Sequence, residues 1–276
     1  MPESVHVAPP DRFPPRLASL GYHIALLNGA EVILPPLCDV PAGPFLMGSD
    51  PVKDKDAQDD EQPQHTVTLA AFQIGAYPVT VAEYACFVRA NGRAAPIGED
   101  TTPGQMSWQT QLTHRLDHPV VMVSWYDAVA YAQWLADLTD QPWRLPSEAE
   151  WEKAARGIDG RLYPWGDQFD ASRANTSDGK QDATTPVGSY PGGASPYGAL
   201  DMCGNVWERT SSVFKRYPYR AKDGREREES PRDRALRGGS WDLPARLARV
   251  AFRNLYLLDD LGNYLGFRLA RSIPSA

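Results

Sequence analysis

The sequence has few of the residues on which several functional classes depend. Its three cysteines, Cys38, Cys86 and Cys203, are too few and too far apart for a disulfide framework or a close-spaced metal site. We therefore expect them to be reduced and structural. Basic residues are outnumbered, since 28 Lys and Arg stand against 35 Asp and Glu, for a formal net charge of −7. This balance argues against nucleic-acid binding, which relies on clustered positive charge.

Long apolar runs are also absent. No stretch approaches the length of a bilayer span, and residues 1–20 carry Pro, Asp and Arg where a signal sequence needs an apolar block. The sequence thus predicts no membrane insertion and, by default, a cytoplasmic protein. The chain does contain 25 Pro and 22 Gly, scattered rather than clustered, together with 8 Trp and 12 Tyr. This composition favours a loop-rich domain with an aromatic core over a helical bundle.

The N-terminal region predicts an arm followed by a hairpin. Residues 1–17 are rich in Pro and are expected to form a loose arm. Residues 23–37 contain two apolar runs around Asn28-Gly29, a pair typical of two-residue hairpin turns. We assign residues 1–37 to this arm and hairpin, and residues 38–276 to the main domain.

Three helices are predicted by their N-terminal caps. Thr80, Ser124 and Ser147 each precede an acidic residue three positions later, which is the pattern of a capping box. Apolar residues at helical spacing follow each cap. Gly157 is expected to end the third helix in a left-handed conformation.

Two charged segments contain few apolar residues and many turn formers. They are residues 50–60 and residues 215–234. Such a composition is typical of solvated loops, because it offers little surface for burial in a core. We expect both segments to be mobile excursions from the domain surface.

A colinear series of segments resembles the formylglycine-generating-enzyme and sulfatase-modifying family. The segments are Pro41–Gly48, Glu61–Phe87, His118–Leu135, Arg144–Gly157, Tyr163–Asp167, Ser195–Trp207, Arg237–Trp241 and Gly266–Leu269. Because they keep the family's order, the match is far more specific than one short motif. The resemblance implies an α+β domain with a C-type-lectin-like fold, rich in loops, with a small antiparallel sheet and a few helices.

The same resemblance implies calcium as a structural cofactor in two loops. One site would consist of Asn175, Asp178 and the carbonyls of Thr176 and Lys180, with Asp182 as an alternative to Asp178. The other would consist of Asp201, Glu208 and the carbonyls of Gly204 and Val206. Carboxylates interleaved with carbonyl oxygens suit a hard cation. The alternative is that these polar groups only cap turns.

The cysteines that make the family catalytic are missing. In catalytic members, two cysteines after the Arg-Gly-Gly-Ser block bind copper as thiolates. Here Leu243 occupies the first position, the second falls near Leu247, and no cysteine follows Cys203. The resemblance therefore implies no copper and leans against an enzyme. Another branch of the superfamily binds iron through histidines on a separate helical bundle, and the histidines of this chain form no helical pair at metal spacing.

The segment before the last family block predicts a ligand-binding surface. On C-type-lectin-like domains this region lies at or near the ligand, and here it carries leucines and tyrosines without strand or helix periodicity. The predicted ligand-binding residues are Trp241, Leu243, Leu247, Phe252, Asn254, Leu255, Tyr256, Leu257, Leu261, Asn263, Tyr264 and Leu265. Exposed, they would form an unusual apolar patch. The alternative is a plain core, with leucines packed under an ordered loop.

The arrangement is also similar to the variable proteins of diversity-generating retroelements. Those proteins use this fold, diversify a C-terminal segment, and draw on residues such as Asn, Tyr, Leu and Asp. Our leading hypothesis is a non-catalytic protein that presents this C-terminal surface, diversified or not, to a protein ligand. The alternatives are an atypical oxidase of the family and an accessory docking domain of a signalling system.

Overall fold

The computed structural model describes residues 13–92 and 95–273. The helices in these ranges are α1 (Pro15–Ser19), α2 (Val81–Asn91), α3 (Trp108–His114), α4 (Trp125–Thr139) and α5 (Glu148–Arg156). The strands are β1 (His23–Leu27), β2 (Ala30–Leu34), β3 (Leu37–Val40), β4 (Gly43–Met47), β5 (His65–Leu69), β6 (Phe72–Gly75), β7 (Trp143–Arg144), β8 (Trp207–Val213), β9 (Arg234–Arg237), β10 (Arg253–Tyr256), β11 (Leu265–Phe267) and β12 (Ala270–Ser272). Within the described residues, no helix is long and apolar enough to cross a membrane.

The strands form two four-stranded sheets and two hairpins. One sheet has the order β3-β6-β12-β7 and is antiparallel throughout. The other has the order β10-β9-β8-β11, in which β11 runs parallel to β8. The expected α+β class, with few helices and small sheets, is confirmed. The parallel pair is an addition that the sequence did not indicate, because a strand as short as β11 carries no readable period.

The predicted helix starts are confirmed. Thr80, Ser124 and Ser147 accept a hydrogen bond from the third residue of the following helix, and the acidic side chain there bonds back to each cap. Gly157 does end α5 with a positive φ of 72°, but its ψ of −139° lies outside the left-handed helical region, so that detail of the prediction was wrong. Helix α3 was not predicted, since Ser107 caps it without an acidic partner.

The predicted N-terminal hairpin is confirmed, whereas the predicted arm needs a correction. Strands β1 and β2 pair antiparallel around Asn28 and Gly29, whose φ angles of 50° and 80° suit a tight turn. Residues 1–12 of the predicted arm lie outside the described residues. Its last residues belong to α1, where Leu17 is fully buried. The arm prediction was wrong at this end because Leu17 packs into a cluster with Tyr22 and Ile33.

An aromatic core holds the helices against the strand that ends the candidate binding segment. The rings of Tyr84 on α2 and Tyr131 on α4 stack with centroids 5.6 Å apart. Tyr131 also makes an edge contact, again at 5.6 Å, with Phe267 on β11. Aromatic pairs at these distances add stability beyond their buried area. The core therefore anchors β11, and with it the C-terminal end of the segment.

The two charged segments are folded onto the domain. Asp54 in the first is 2% exposed and forms an ion pair with Arg249. Arg225 and Arg234 in the second are fully buried. Most residues of both segments are exposed, as predicted for surface loops. The buried charges were not foreseen, because composition does not reveal that a charged side chain has a buried partner.

Buried ion pairs join the loops to the helices. Glu148 on α5 accepts hydrogen bonds from Arg253 Nε at 2.6 Å and Nη2 at 2.9 Å, and from Arg237 Nη1 at 3.2 Å. Arg237 also pairs with Glu152. All four side chains are fully buried. Since a buried charge is tolerated only with close partners, these contacts fix the position of β9 and β10 against α5.

Candidate functional site

The segment predicted to bind a ligand forms an edge strand and a loop. Strand β10 pairs with β9 alone and lies at the edge of its sheet, and residues 257–264 connect it to β11. Three leucines project from it into solvent. Leu255 is 41% exposed, Leu257 is 54% exposed and Leu261 is 38% exposed. We refer to these three side chains as the C-terminal surface.

Other predicted binding residues form the base under this surface. Phe252 and Leu265 are buried in a cluster with Trp207 and Leu236. The half-buried members that pack against this cluster are Leu243, Leu247, Tyr256 and Tyr264. The rings of Tyr256 and Tyr264 lie 6.1 Å apart. The predicted binding residues therefore divide into exposed side chains and buried or half-buried side chains of the same segment.

The remaining predicted residues are Asn254, Asn263 and Trp241, all half-buried. Asn254 lies on β10, and its side-chain oxygen accepts a hydrogen bond from the Leu255 amide at 2.8 Å. The Trp241 indole donates to the carbonyl of Asn263 at 3.3 Å. Trp241 thus ties the Arg-Gly-Gly-Ser-Trp block to the loop.

Arg209 supports the loop from inside. It is fully buried on β8, and its guanidinium donates to the carbonyls of Val123, Leu257 and Asp260. Burial lowers the pKa of Arg209 to about 10. Because carbonyl oxygens are its hydrogen-bond acceptors, moving the loop would leave a buried charge without them. Arg209 could not be singled out from the sequence, because nothing there distinguishes a buried arginine from one at the surface.

Backbone hydrogen bonds hold the loop at three further points. The amide of Trp125 donates to Leu258 O at 2.8 Å, and the amide of Met122 donates to Gly262 O at 3.1 Å. On the other side, the amide of Asn263 donates to Gly104 O at 2.9 Å. The exposed leucines are therefore presented by an ordered loop.

The cysteines lie away from this surface and are buried, as predicted. Burial raises the pKa of the Cys86 thiol to about 11, and burial also raises the pKa of Cys203. A thiol of this kind is a poor nucleophile and a poor metal ligand at neutral pH. Leu243 and Leu247, which stand where the family's cysteines are expected, contribute to the base of the C-terminal surface.

The first predicted calcium loop keeps one buried oxygen free. Asn175 is 1% exposed, and its Oδ1 atom has no hydrogen-bond partner among the described residues. Asp178 accepts from the Ala245 amide at 2.8 Å, and Lys180 has a left-handed φ of 55°. Thr176 is fully buried. A buried amide oxygen without a hydrogen-bond partner is a ligand that suits a hard cation.

The second predicted calcium loop has its carboxylate occupied. Arg268 donates to Glu208 through Nε and Nη2, both at 2.6 Å, and the Trp151 indole donates to the same carboxylate at 2.7 Å. Asp201 accepts from the Gly188 amide at 2.7 Å, and burial raises its pKa to about 6.

The backbone of the second loop is close-packed. Gly204 has a φ of 76° and donates its amide to the Gly238 carbonyl at 2.7 Å. Val206 is fully buried. With Glu208 bound to Arg268, this loop does not fit calcium as arranged. Across residues 13–92 and 95–273, no group of three or more His, Cys, Asp or Glu side chains is placed to hold a metal.

A small mixed sheet, long ordered loops and a C-terminal loop surface define a C-type-lectin-like domain of the formylglycine-generating type. A family model described as "Sulfatase-modifying factor enzyme 1-like domain" matches residues 26–273. The chain belongs to this family.

Two curated relatives illustrate the range of the family. Hercynine oxygenase of Mycolicibacterium smegmatis is 36% identical over 247 residues, which cover 78% of this chain and 56% of the relative. The chain thus spans about half the length of the hercynine oxygenases that it matches. Inactive C-alpha-formylglycine-generating enzyme 2 of Mus musculus is 33% identical over 287 residues, which cover 86% of each chain.

Two solved structures share the fold. PvdO from Pseudomonas aeruginosa superimposes with a TM-score of 0.73 at 30% identity, covering 87% of this chain and 95% of that one. Treponema denticola variable protein 1 superimposes with a TM-score of 0.66 at 21% identity, covering 91% and 98%. The second likeness concerns the fold alone.

Proposed function

We propose that this chain is a non-catalytic binding protein that presents the C-terminal surface to a protein ligand. The observation that carries the proposal is the exposure of Leu255 on the edge strand β10 and of Leu257 and Leu261 on the loop that Arg209 holds from inside. Apolar side chains that are fixed before binding lose little entropy when a partner covers them. Aromatic rings beneath such a surface, here Tyr256 and Tyr264, are typical of protein interfaces.

The absent cysteine pair supports a role without the family's copper chemistry. Leu243 and Leu247 place apolar side chains where thiolates would be needed, and the pKa of the buried Cys203 is raised. Neither leucine can coordinate a soft metal. One of the curated relatives with near-complete coverage also carries the word inactive in its name.

The diversification of this surface is a separate part of the proposal. The C-terminal position of the exposed leucines and the fold shared with a variable protein support it. The test is the flanking DNA. An imperfect repeat of the codons for residues 240–268, differing at adenines and next to a reverse transcriptase gene, would establish diversification, and its absence would remove that part.

We also propose calcium in the loop around Asn175 rather than in the loop around Glu208. The buried, unpartnered Oδ1 atom of Asn175 supports the first site. Calcium there would tie loops together and supply no chemistry. Asp178 and the carbonyls of Thr176 and Lys180 would complete its ligands.

The binding role is tested by charge substitutions on the surface. Leu255→Asp and Leu257→Asp should abolish co-purification of the partner from the native cells, because each places a carboxylate in an apolar contact. Ile158→Asp is the matched control, since Ile158 is 63% exposed and lies outside the segment. Quantitative mass spectrometry of the captured proteins is the readout. Identical sets of captured proteins for all variants would contradict the proposal.

A further inference from the structure

A cavity lies apart from the C-terminal surface. It has a volume of about 400 Å³ and is enclosed by α4, the start of α5, β8 and the charged segment 215–234. No residue of the C-terminal segment lines it. Its volume lies in the range of sites that hold small molecules or single side chains. The folding of segment 215–234 onto the domain creates it, so the charged residues of that segment form one of its walls.

One wall of the cavity is apolar. Val129 and Ala132 on α4 line it together with Leu145, Trp143 and Leu69. These side chains offer no hydrogen-bonding group apart from the Trp143 indole, which donates to Thr139 Oγ1 at 3.0 Å. An occupant of this wall must therefore present an aliphatic or aromatic portion.

The charged side chains that line the cavity carry more negative than positive charge. They are Glu150, Glu226, Glu228 and Arg144. Arg144 and Glu150 neutralise each other, since Arg144 Nη1 and Nη2 each donate to the Glu150 carboxylate at 2.7 Å. Neither Glu226 nor Glu228 forms an ion pair among the described residues, and the charges of Arg144 and Arg234 act on Glu226 only at longer range.

Glu226 is oriented by neutral donors only. Its carboxylate accepts from Ser212 Oγ at 2.6 Å, Tyr219 Oη at 2.7 Å and Ser211 Oγ at 3.1 Å. Among the described residues it forms no ion pair. Burial is the largest cause of the raised pKa of Glu226. Hydroxyl groups hold the carboxylate in place without neutralising its charge.

The guanidinium of Arg234 acts on Glu226 and Glu228 electrostatically without forming an ion pair with either. It stacks over the Trp125 ring at 4.4 Å from the centroid. Its hydrogen bonds go to the carbonyls of Ser211, Glu228 and Ser230.

We propose that this cavity binds an alkylguanidinium or alkylammonium group, with its aliphatic stem against Val129 and Ala132 and its cationic end beside Glu226. An apolar lining beside a fixed carboxylate that has no ion pair selects for a cation on a short hydrocarbon chain. An anion would meet net negative charge, and a neutral alkane would leave Glu226 uncompensated. This site is independent of the proposed binding role of the C-terminal surface.

The test uses agmatine as the probe and isothermal titration calorimetry on the full chain. Agmatine should bind saturably, and Glu226→Gln should weaken its binding at least about tenfold, because the amide retains hydrogen-bond acceptance but removes the charge. Glu229→Gln is the matched control, since Glu229 is exposed on the same segment and does not line the cavity, and it should bind agmatine like the parent. Pentanoate, a monoanion with a hydrocarbon chain of similar length, should not bind.

A second variant distinguishes the loss of the Glu226 charge from misfolding of the segment. Glu228→Gln alters the exposed rim of the cavity and should weaken agmatine binding less than Glu226→Gln does. Absence of saturable agmatine binding, equal affinity in both glutamine variants and the parent, or binding of pentanoate would overturn the proposal. A Gly-Arg-Gly peptide distinguishes the source: tighter binding than agmatine identifies a protein side chain as the occupant, and weaker binding identifies a free small cation.

Discussion

Two positions in strand β10 belong to different regions of the molecule, the buried ion-pair network and the C-terminal surface. Arg253 is 2% exposed and bound to Glu148, whereas Leu255, two residues later, is 41% exposed. The charged residue is inside and the apolar residue outside, which reverses the usual distribution. Buried ion pairs thus secure the scaffold, and apolar side chains next to them lie at the surface.

The largest expected effect comes from breaking the buried network. Arg253→Ala should lower the free energy of unfolding by about 3–5 kcal/mol, because it removes the two-pronged partner of the buried Glu148. The exposed Arg246→Ala is the control and should change it by about 0.5 kcal/mol or less. Urea unfolding measures both. A loss below about 1 kcal/mol for Arg253→Ala would show that β10 is not secured in this way.

The next largest effect comes from comparing a buried with an exposed leucine of the predicted binding segment. Leu265→Ala should cost about 2–5 kcal/mol, because Leu265 is fully buried and its truncation leaves a cavity. Leu257→Ala should cost about 0.5 kcal/mol or less, because its side chain is already in solvent. Tyr256 and Tyr264, which are half-buried, should fall between these values. Equal losses at Leu257 and Leu265 would make the whole segment core.

Calcium should have a smaller effect, confined to the scaffold. A ligand that binds only the folded state stabilises it by about 2.7 kcal/mol at a hundredfold excess over Kd. Chelation should therefore lower the Tm, and Asn175→Ala should abolish the response while Glu208→Gln retains it. Scanning calorimetry with and without chelator measures this. An unchanged Tm on exhaustive chelation would remove calcium from the account.

The last effect, at most about 1.4 kcal/mol for each pH unit, concerns a scaffold carboxylate that has no cationic partner. Burial raises the pKa of Glu83 from 4.5 to about 8, whereas Arg253 and Arg237 hold the pKa of the equally buried Glu148 below its usual range. Between these two values for Glu83 the folded state binds the extra proton, so stability should fall as pH rises from about 5 to 8.

The pH effect is assigned to Glu83 by substitution. Glu83→Gln keeps an oxygen for the Thr80 cap and should flatten the pH dependence of the unfolding free energy. The exposed Glu99→Gln should leave it unchanged. A dependence that survives Glu83→Gln would assign the proton to another group.

Sequence patterns predicted the parts of the fold that depend on local chemistry. The caps at Thr80, Ser124 and Ser147 and the turn at Asn28-Gly29 act through neighbouring residues, so they can be read from one chain. The segments that resemble the family predicted, in addition, the α+β class of the domain. The predicted binding segment shows no strand periodicity in the sequence, yet its start forms the edge strand β10, and its division into exposed and buried leucines was not foreseen.

What the sequence did not reveal depends on distant partners. Asp54 and Arg249 are far apart in the chain, and nothing in either segment indicates their ion pair. The same holds for Arg209, whose acceptors are carbonyl oxygens, and for the cavity beside Glu226. Charge runs report composition, and only the fold decides which of those charges face inward.

The central claim is that this chain keeps the scaffold of its family without the family's chemistry. The most direct measurement is incubation of the purified chain with a sulfatase-motif peptide, with and without copper, followed by mass spectrometry of the peptide cysteine. We predict that the cysteine stays unmodified in both cases, because Leu243 and Leu247 stand in place of the thiolates. Formation of formylglycine, abolished by Cys203→Ala, would contradict the account.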